Sequence, residues 1–323
     1  MLKYLQIVRL PNLLMIPLTM YLLRWCIVKP MLDYQYAYQL QHTVNLQFSN
    51  SLFWVLVLLN MFLGAAGYVI NDYFDRRIDS VNRKNSVLVG RNISNRMAIA
   101  MYVIFNVIAM FLACVLAYNM HSFNVLLMYI MLAGIFWFYS TTYKRQLLLG
   151  NVIVSVCTAL VPLQVAYFEI VSLNSSYASE MLYNNLTFTP IIVWIMAFAV
   201  FAFLLNMMRE IVKDIEDIEG DGTYGCDTLP LVYGIGVAKS VVVAIGIVVA
   251  LITLAAMLFV LTDLLSQLYL ALLVLLPTVI SVVLTIRANC KKNYSVISFI
   301  LKLVMLTGVL YALLARQIMM FVL

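Results

Sequence analysis

Apolar residues in this chain fall into long runs, at about 10–29, 52–70, 97–118, 123–141, 150–169, 190–208, 237–261, 265–286 and 297–321. A helix needs about 20 predominantly apolar residues to cross the hydrocarbon of a bilayer. The pattern therefore predicts an all-α, polytopic bundle of nine transmembrane helices, a single integral-membrane domain over residues 1–323. The polar, Tyr-rich stretches 30–50 and 170–189 are expected as external loops without chemistry of their own. No small-residue cleavage site follows the first run before Lys29-Pro30, which argues against a signal peptide.

Composition agrees with a membrane chain. Of 323 residues, 65% are hydrophobic and 11% charged, which excludes an ordinary soluble domain. With nine spans and an internal N-terminus, only Arg24, Lys29 and Arg316 of the 20 Lys and Arg fall on or toward the external side. The excess of basic residues marks the other face as cytoplasmic. The net charge of +6 then reflects topology and anionic lipid headgroups, with no nucleic-acid partner implied. Cys26, Cys114, Cys157, Cys226 and Cys290 form no CxxC and read as small apolar residues, with no disulfide or zinc site expected. His42 and His121 are each expected to stand alone in a loop.

Two charge-dense segments interrupt the apolar pattern. Asn71 to Asp79, NDYFDRRID, carries Asp72, Asp75 and Asp79; Arg209 to Pro230, REIVKDIEDIEGDGTYGCDTLP, carries Asp214, Asp217 and Asp221. On a helix the shared i, i+3, i+7 spacing stacks three carboxylates on one face. Such stripes repel themselves unless cations compensate them, and hard oxygen donors suit Mg²⁺ held by carboxylates together with substrate phosphates. A solvated helix end explains one DxxD, but two copies of DxxDxxxD at the ends of apolar spans point to a metal–diphosphate site.

Other candidates lie on the same face. Glu210 and Asn206 extend the second stripe toward the N-terminus. Arg9 and Asn12 stand where the first span enters the membrane, either as an interfacial anchor or facing a binding cavity. Arg83, Lys84, Arg91 and Arg96 follow the first motif, and Tyr139, Ser140 and Lys144 follow the fourth span. These cations complement a diphosphate and equally set topology. Gly64, Ala65, Ala66 and Gly67 permit close helix packing. Spans seven to nine carry almost no ionisable residues beyond their ends. The two motifs also head corresponding blocks, a hint of weak internal duplication.

These residues resemble the UbiA-type intramembrane prenyltransferases. That family's NDxxDxxxD matches Asn71, Asp72, Asp75 and Asp79, and its DxxDxxxD matches Asp214, Asp217 and Asp221 after Arg209-Glu210. Arg9 to Asn12 resembles the family's RPxN-like start, Tyr139, Ser140 and Lys144 its YSxxxK segment, and Gly150-Asn151 a following Gly-Asn. Two departures stand out: Lys84-Asn85-Ser86-Val87-Leu88 lacks the family's arginine and proline, and Asp227 occupies the place of a usual lysine.

The resemblance implies a central cavity open to the cytoplasmic side and Mg²⁺-dependent transfer of a polyprenyl group from its diphosphate to a membrane-associated acceptor. It assigns metal binding to Asp72, Asp75, Asp79, Asp214, Asp217 and Asp221. Catalysis would fall to Asp72, Asp75, Asp214, Asp217 and Lys144. Substrate contacts would come from Arg9, Asn12, Asn71, Arg83, Lys84, Tyr139, Ser140, Asn206 and Arg209. The run REIVKDIEDIEGD resembles the branch acting on geranylgeranylglycerol phosphate; acceptors such as 4-hydroxybenzoate, dihydroxynaphthoate or homogentisate remain the alternative. A cation transporter is the distant alternative, disfavoured because its acids should lie inside the spans and these spans read as free of them. Oligomeric state is left open.

Overall fold

The computed structural model describes residues 2–82 and 87–322. Among these, nine helices are long and apolar enough to cross a membrane. Span one is Leu10–Leu40, span two Asn50–Asn82, span three Asn95–Asn119, span four Phe123–Thr141 and span five Leu149–Tyr183. Span six is Thr189–Glu216, span seven Gly234–Phe259, span eight Leu264–Arg287 and span nine Lys291–Met320. No strand forms among the described residues, only an isolated bridge between Val89 and Ile93.

Two of the expected loops are largely helix. Span one runs on to Leu40 and span five to Tyr183, because Tyr, Gln, Leu and Ala there are compatible with a helix that outlasts the hydrocarbon. Span one passes Pro30 by widening into π-helical turns at Arg24–Val28 and Met31–Tyr36. Span eight does the same at Ala271–Leu275, just before Pro277. Proline donates no hydrogen bond and its ring crowds the carbonyl four residues back, so a wider turn absorbs the clash.

The chain divides into two compact units. The first comprises residues 1–18, 49–150 and 217–232, with spans two, three and four packed side by side. The small residues act as expected: a Cβ at Gly64 would press on Ile16, and one at Gly67 would touch the Phe136 ring. After the first motif, Val89 and Ile93 join Ile7, Val8, Leu13, Ala65, Val69 and Ala98 in an apolar cluster that ties the returning loop to span two. Arg83, Lys84 and Ser86 lie outside the described residues.

The second unit comprises residues 19–48, 151–216 and 233–323. Span six packs against spans seven and nine. Span seven approaches span eight closely at Gly246, where a Cβ would lie 2.3 Å from Val282 Cγ2.

This unit corrects three sequence expectations about charge. Arg24 is not at an external boundary but 0% exposed in the middle of span one, and Glu169 is 0% exposed within span five. Arg24 Nε lies 2.6 Å from Glu169 Oε1, another guanidinium nitrogen donates to the Phe48 carbonyl, and the cation stacks over Trp25 and Phe48. The spans are therefore not free of acids, although this one is locked to its arginine. Second, span nine carries Lys302 three turns inside its start. Third, His42 has a partner: its Nε2 meets Glu180, and that hydrogen bond, aided by the Thr43 carbonyl, raises the imidazole pKa.

Candidate active site

The first acid motif occupies the last turns of span two, so one unbroken helix carries Asp72, Asp75 and Asp79 on one face, as the spacing requires. Their charges are compensated by residues from elsewhere in the same unit. Arg9 donates to Asp72 Oδ1 at 2.7 Å and lies over the Tyr68 ring, 5.3 Å from its centroid. It does so from a left-handed backbone, φ 49°, a strained conformation for a non-glycine residue that persists only when its surroundings hold it. Asn12 lies one turn beyond it.

Lys144 reaches the same face from the short 3-10 turn Tyr143–Arg145. Its ammonium contacts Asp75 Oδ1 and lies 3.5 Å from Asn71 Oδ1, while Asn71 Nδ2 donates to Asp75 Oδ2 at 2.8 Å. Burial, then the neighbouring Arg145, push the Lys144 pKa down, and Asp221 opposes them. The Asp75 carboxylate in contact favours the charged ammonium, so the two form an ion pair.

The second motif departs from expectation. Asp214 ends a turn of span six, but the helix breaks at Asp217 and restarts as Ile218–Thr223, which carries Asp221. Glu216, Asp217 and Glu219 crowd like charge into the junction, and Gly220 and Gly222 follow with weak helix propensity. The three carboxylates therefore do not share one helix face. The break falls between the units, with Asp214 in the second and Asp217 and Asp221 in the first. Within the first unit the short helix packs on the end of span two. There Gly220 N–H donates to Asn82 Oδ1 at 2.8 Å, an approach so close that a Cβ would fall 2.4 Å from that side chain.

In the second unit Asn151 Nδ2 donates to Asp214 Oδ2 at 2.8 Å. Asn206 is buried and donates to Ser155 Oγ at 3.3 Å, so it ties span six to span five. Arg209 is committed to Glu210, at 2.6 Å. Ser140 is fully buried and donates to the Phe136 carbonyl of its own helix. Tyr139 is half-buried one residue before it.

The Gly-Asn pair is the signal the sequence offered without a role. A Cβ on Gly150 would lie 2.6 Å from Lys144 Cα and 3.1 Å from the Tyr143 carbonyl oxygen. Gly150 is thus the space into which the Lys144 turn folds, and Asn151 is the support of Asp214. Gly150→Ala is expected to displace Lys144 and lower kcat/KM for prenyl diphosphate by about 10²-fold, the scale of a misplacement near 1 Å. An unchanged rate would refute the positioning role. Asp227 is settled by its backbone: its N–H donates to the Arg145 carbonyl at 2.8 Å, a bond indifferent to the side chain that replaces the family's lysine.

Among the described residues no three His, Cys, Asp or Glu side chains form a ready-made metal cluster. The donor chemistry still suits Mg²⁺, which takes one or two carboxylates and completes its shell with water and phosphate oxygens.

A model of the UbiA prenyltransferase family matches residues 36–314. The chain belongs to this family. It is 32% identical over 206 residues to a digeranylgeranylglyceryl phosphate synthase of Thermococcus sibiricus, covering 62% of each chain; it thus spans about three fifths of that relative's length. Among solved structures, the UbiA homologue of Aeropyrum pernix K1 superimposes with TM-score 0.60 at 16% identity, over 91% of this chain and 97% of that one. An Archaeoglobus fulgidus UbiA homologue bound to GPP and Mg²⁺ superimposes with TM-score 0.53 at 17% identity, over 96% and 99%. At such identities the likeness establishes the UbiA fold. Together with the nine apolar helices among the described residues it makes this UbiA chain an integral membrane protein.

Proposed function

We propose that this protein transfers a polyprenyl group from its diphosphate to the hydroxyl of a membrane-associated glycerol phosphate, geranylgeranylglycerol phosphate being the acceptor its relatives' names favour. The observation that carries the reading is the pairing of Arg9 with Asp72 and of Lys144 with Asp75 on one helix face. Carboxylates that can take divalent cations and cations that can take phosphate oxygens stand within a turn of each other. Both parts of a metal–diphosphate complex thus have matching groups in one place.

Asp72, Asp75, Asp79, Asp214, Asp217 and Asp221 are the residues that would hold Mg²⁺. The metal, when bound, supplies charge neutralisation for the departing diphosphate. The chain's own contribution is orientation and screening. Arg9 and Lys144 donate to phosphate oxygens, Asn71 and Asn151 hold carboxylates in place, and apolar spans keep water from an allylic cation-like species. The acceptor hydroxyl oxygen then attacks C1 as the C1–O bond to the diphosphate breaks, and the hydroxyl proton passes to the departing diphosphate. The weight of Lys and Arg on the motif-bearing side supports a cytoplasmic position for this chemistry.

The test is product analysis by mass spectrometry. Purified protein with Mg²⁺ and geranylgeranyl diphosphate is offered geranylgeranylglycerol phosphate and, separately, 4-hydroxybenzoate. A diether phosphate that disappears with EDTA is expected. Prenylated 4-hydroxybenzoate alone would move the assignment to aromatic acceptors, and no product from either would end it.

A further inference from the structure

Arg9 meets Asp72 from a backbone that an arginine rarely adopts, φ 49° and ψ 53°, so its surroundings in the first unit must hold it there. The residue is the joint between two short helices, Leu2–Ile7 and Leu10–Leu13. Its N–H donates to the Gln6 carbonyl at 2.9 Å, and its own carbonyl accepts from the Asn12 and Leu13 N–H groups at 2.8 and 3.1 Å. Helices this short are marginal on their own, so the joint depends on packing. Ile7 and Val8 on one side of it and Leu13 on the other are buried in one apolar cluster, with Leu10 packed against them.

The loop that returns from the first motif completes this cluster. Val89 and Ile93 are 2% and 3% exposed within it. The loop is folded on itself: Asn92 and Ile93 N–H donate to the Leu88 carbonyl at 2.9 and 3.0 Å, and Gly90 N–H donates to the Ile93 carbonyl at 2.8 Å. Gly90 takes φ 89°, which glycine adopts freely and other residues do not. From outside, Lys3 Nζ donates to Asn92 Oδ1 at 2.6 Å and clips the loop to the first helix.

We propose that Ile93, with Val89 beside it, is a positioning residue for Arg9. The loop wedges against the residues flanking the joint, holds its left-handed backbone and so aims the guanidinium at Asp72 and at the donor's diphosphate. An arginine released from that backbone relaxes toward the right-handed or extended region. The change redirects its Cα–Cβ bond and carries the guanidinium off the carboxylate. In sequence the segment after the first motif drew attention through Arg83, Lys84, Arg91 and Arg96; its apolar residues are what connect it to Arg9.

The donor's diphosphate enters here from the prenyl-transfer reading, so the experiment has one arm that needs no substrate. Purified full-length protein is assayed with Mg²⁺, geranylgeranyl diphosphate and geranylgeranylglycerol phosphate, as wild type, Ile93→Ala, Ile93→Leu, Arg9→Met and the Arg9→Met, Ile93→Ala double variant. Ile93→Ala is expected to raise KM for the donor about tenfold, the scale of one displaced charge-assisted contact, with KM for the acceptor within about twofold. Ile93→Leu conserves volume and should keep most of the donor affinity. In the Arg9→Met background Ile93→Ala should add less than about twofold, because the group it positions is gone. Full additivity, or equal rises in both KM values, overturns the positioning role and leaves Ile93 a packing residue. If Ile93→Ala does not fold, Ile93→Val is read in the same way, with a rise in donor KM of about threefold expected for the smaller cavity. Hydrogen–deuterium exchange is the arm without substrate: Ile93→Ala should speed exchange at residues 7–13 by about fivefold or more while span two keeps its protection. Unchanged exchange there overturns the hold on Arg9. Wild-type protein that transfers no prenyl group, combined with faster exchange in the variant, ends the prenyl-transfer reading and leaves the hold on Arg9 standing.

Discussion

Asp75→Ala is expected to lower kcat/KM for prenyl diphosphate by about 10³-fold, the upper range for losing one pre-organised electrostatic group. The residue has two jobs that no neighbour duplicates. It is the buried carboxylate of the first stripe, and it is the contact that seats the Lys144 ammonium. Lys144→Met should cost about 10²-fold. Because each residue holds the other, the double variant should be scarcely worse than Asp75→Ala alone, a coupling a double-mutant cycle reads directly. Additive losses would show that the pair acts as two independent groups and would break the proposed arrangement.

Glu169→Ala carries the largest expected cost in stability. It leaves the Arg24 guanidinium fully buried among Trp25, Phe48 and apolar neighbours without its carboxylate. Removing one partner of a buried ion pair typically costs about 3–5 kcal/mol, because the survivor remains charged and desolvated. Removing both is another matter. Arg24→Met combined with Glu169→Leu should regain most of that loss, since the pair itself repays little beyond its desolvation. Thermal unfolding of the detergent-solubilised protein measures both. A single variant as stable as wild type would mean that water reaches Arg24, contrary to its burial.

The sequence was most legible where a property repeats. Nine apolar runs anticipate the nine spans found among the described residues because about 20 apolar residues have few alternatives to crossing a bilayer, and the i, i+3, i+7 spacing places Asp72, Asp75 and Asp79 on one face of span two. What stayed hidden depends on contacts between residues distant in the chain. A lone Arg24 or Glu169 is averaged away by hydropathy, and nothing local says that they meet. The break at Asp217 was also hidden, since DxxDxxxD is equally good as a helix stripe and as a helix end; the glycines about one turn on and the fit of Gly220 against Asn82 decide it. Gly150-Asn151 was visible as a pattern, but its meaning needed the Lys144 turn folded above it.

The hydrogen bond from the Asp227 amide to the Arg145 carbonyl fastens the exit of the second motif to the turn that carries Lys144. Any residue except proline supplies that amide. Position 227 is therefore free to drift in size and charge without loosening the lysine, whereas a proline there would unfasten both segments together. Relatives that differ at this place can share one architecture, and a search demanding lysine would pass them by.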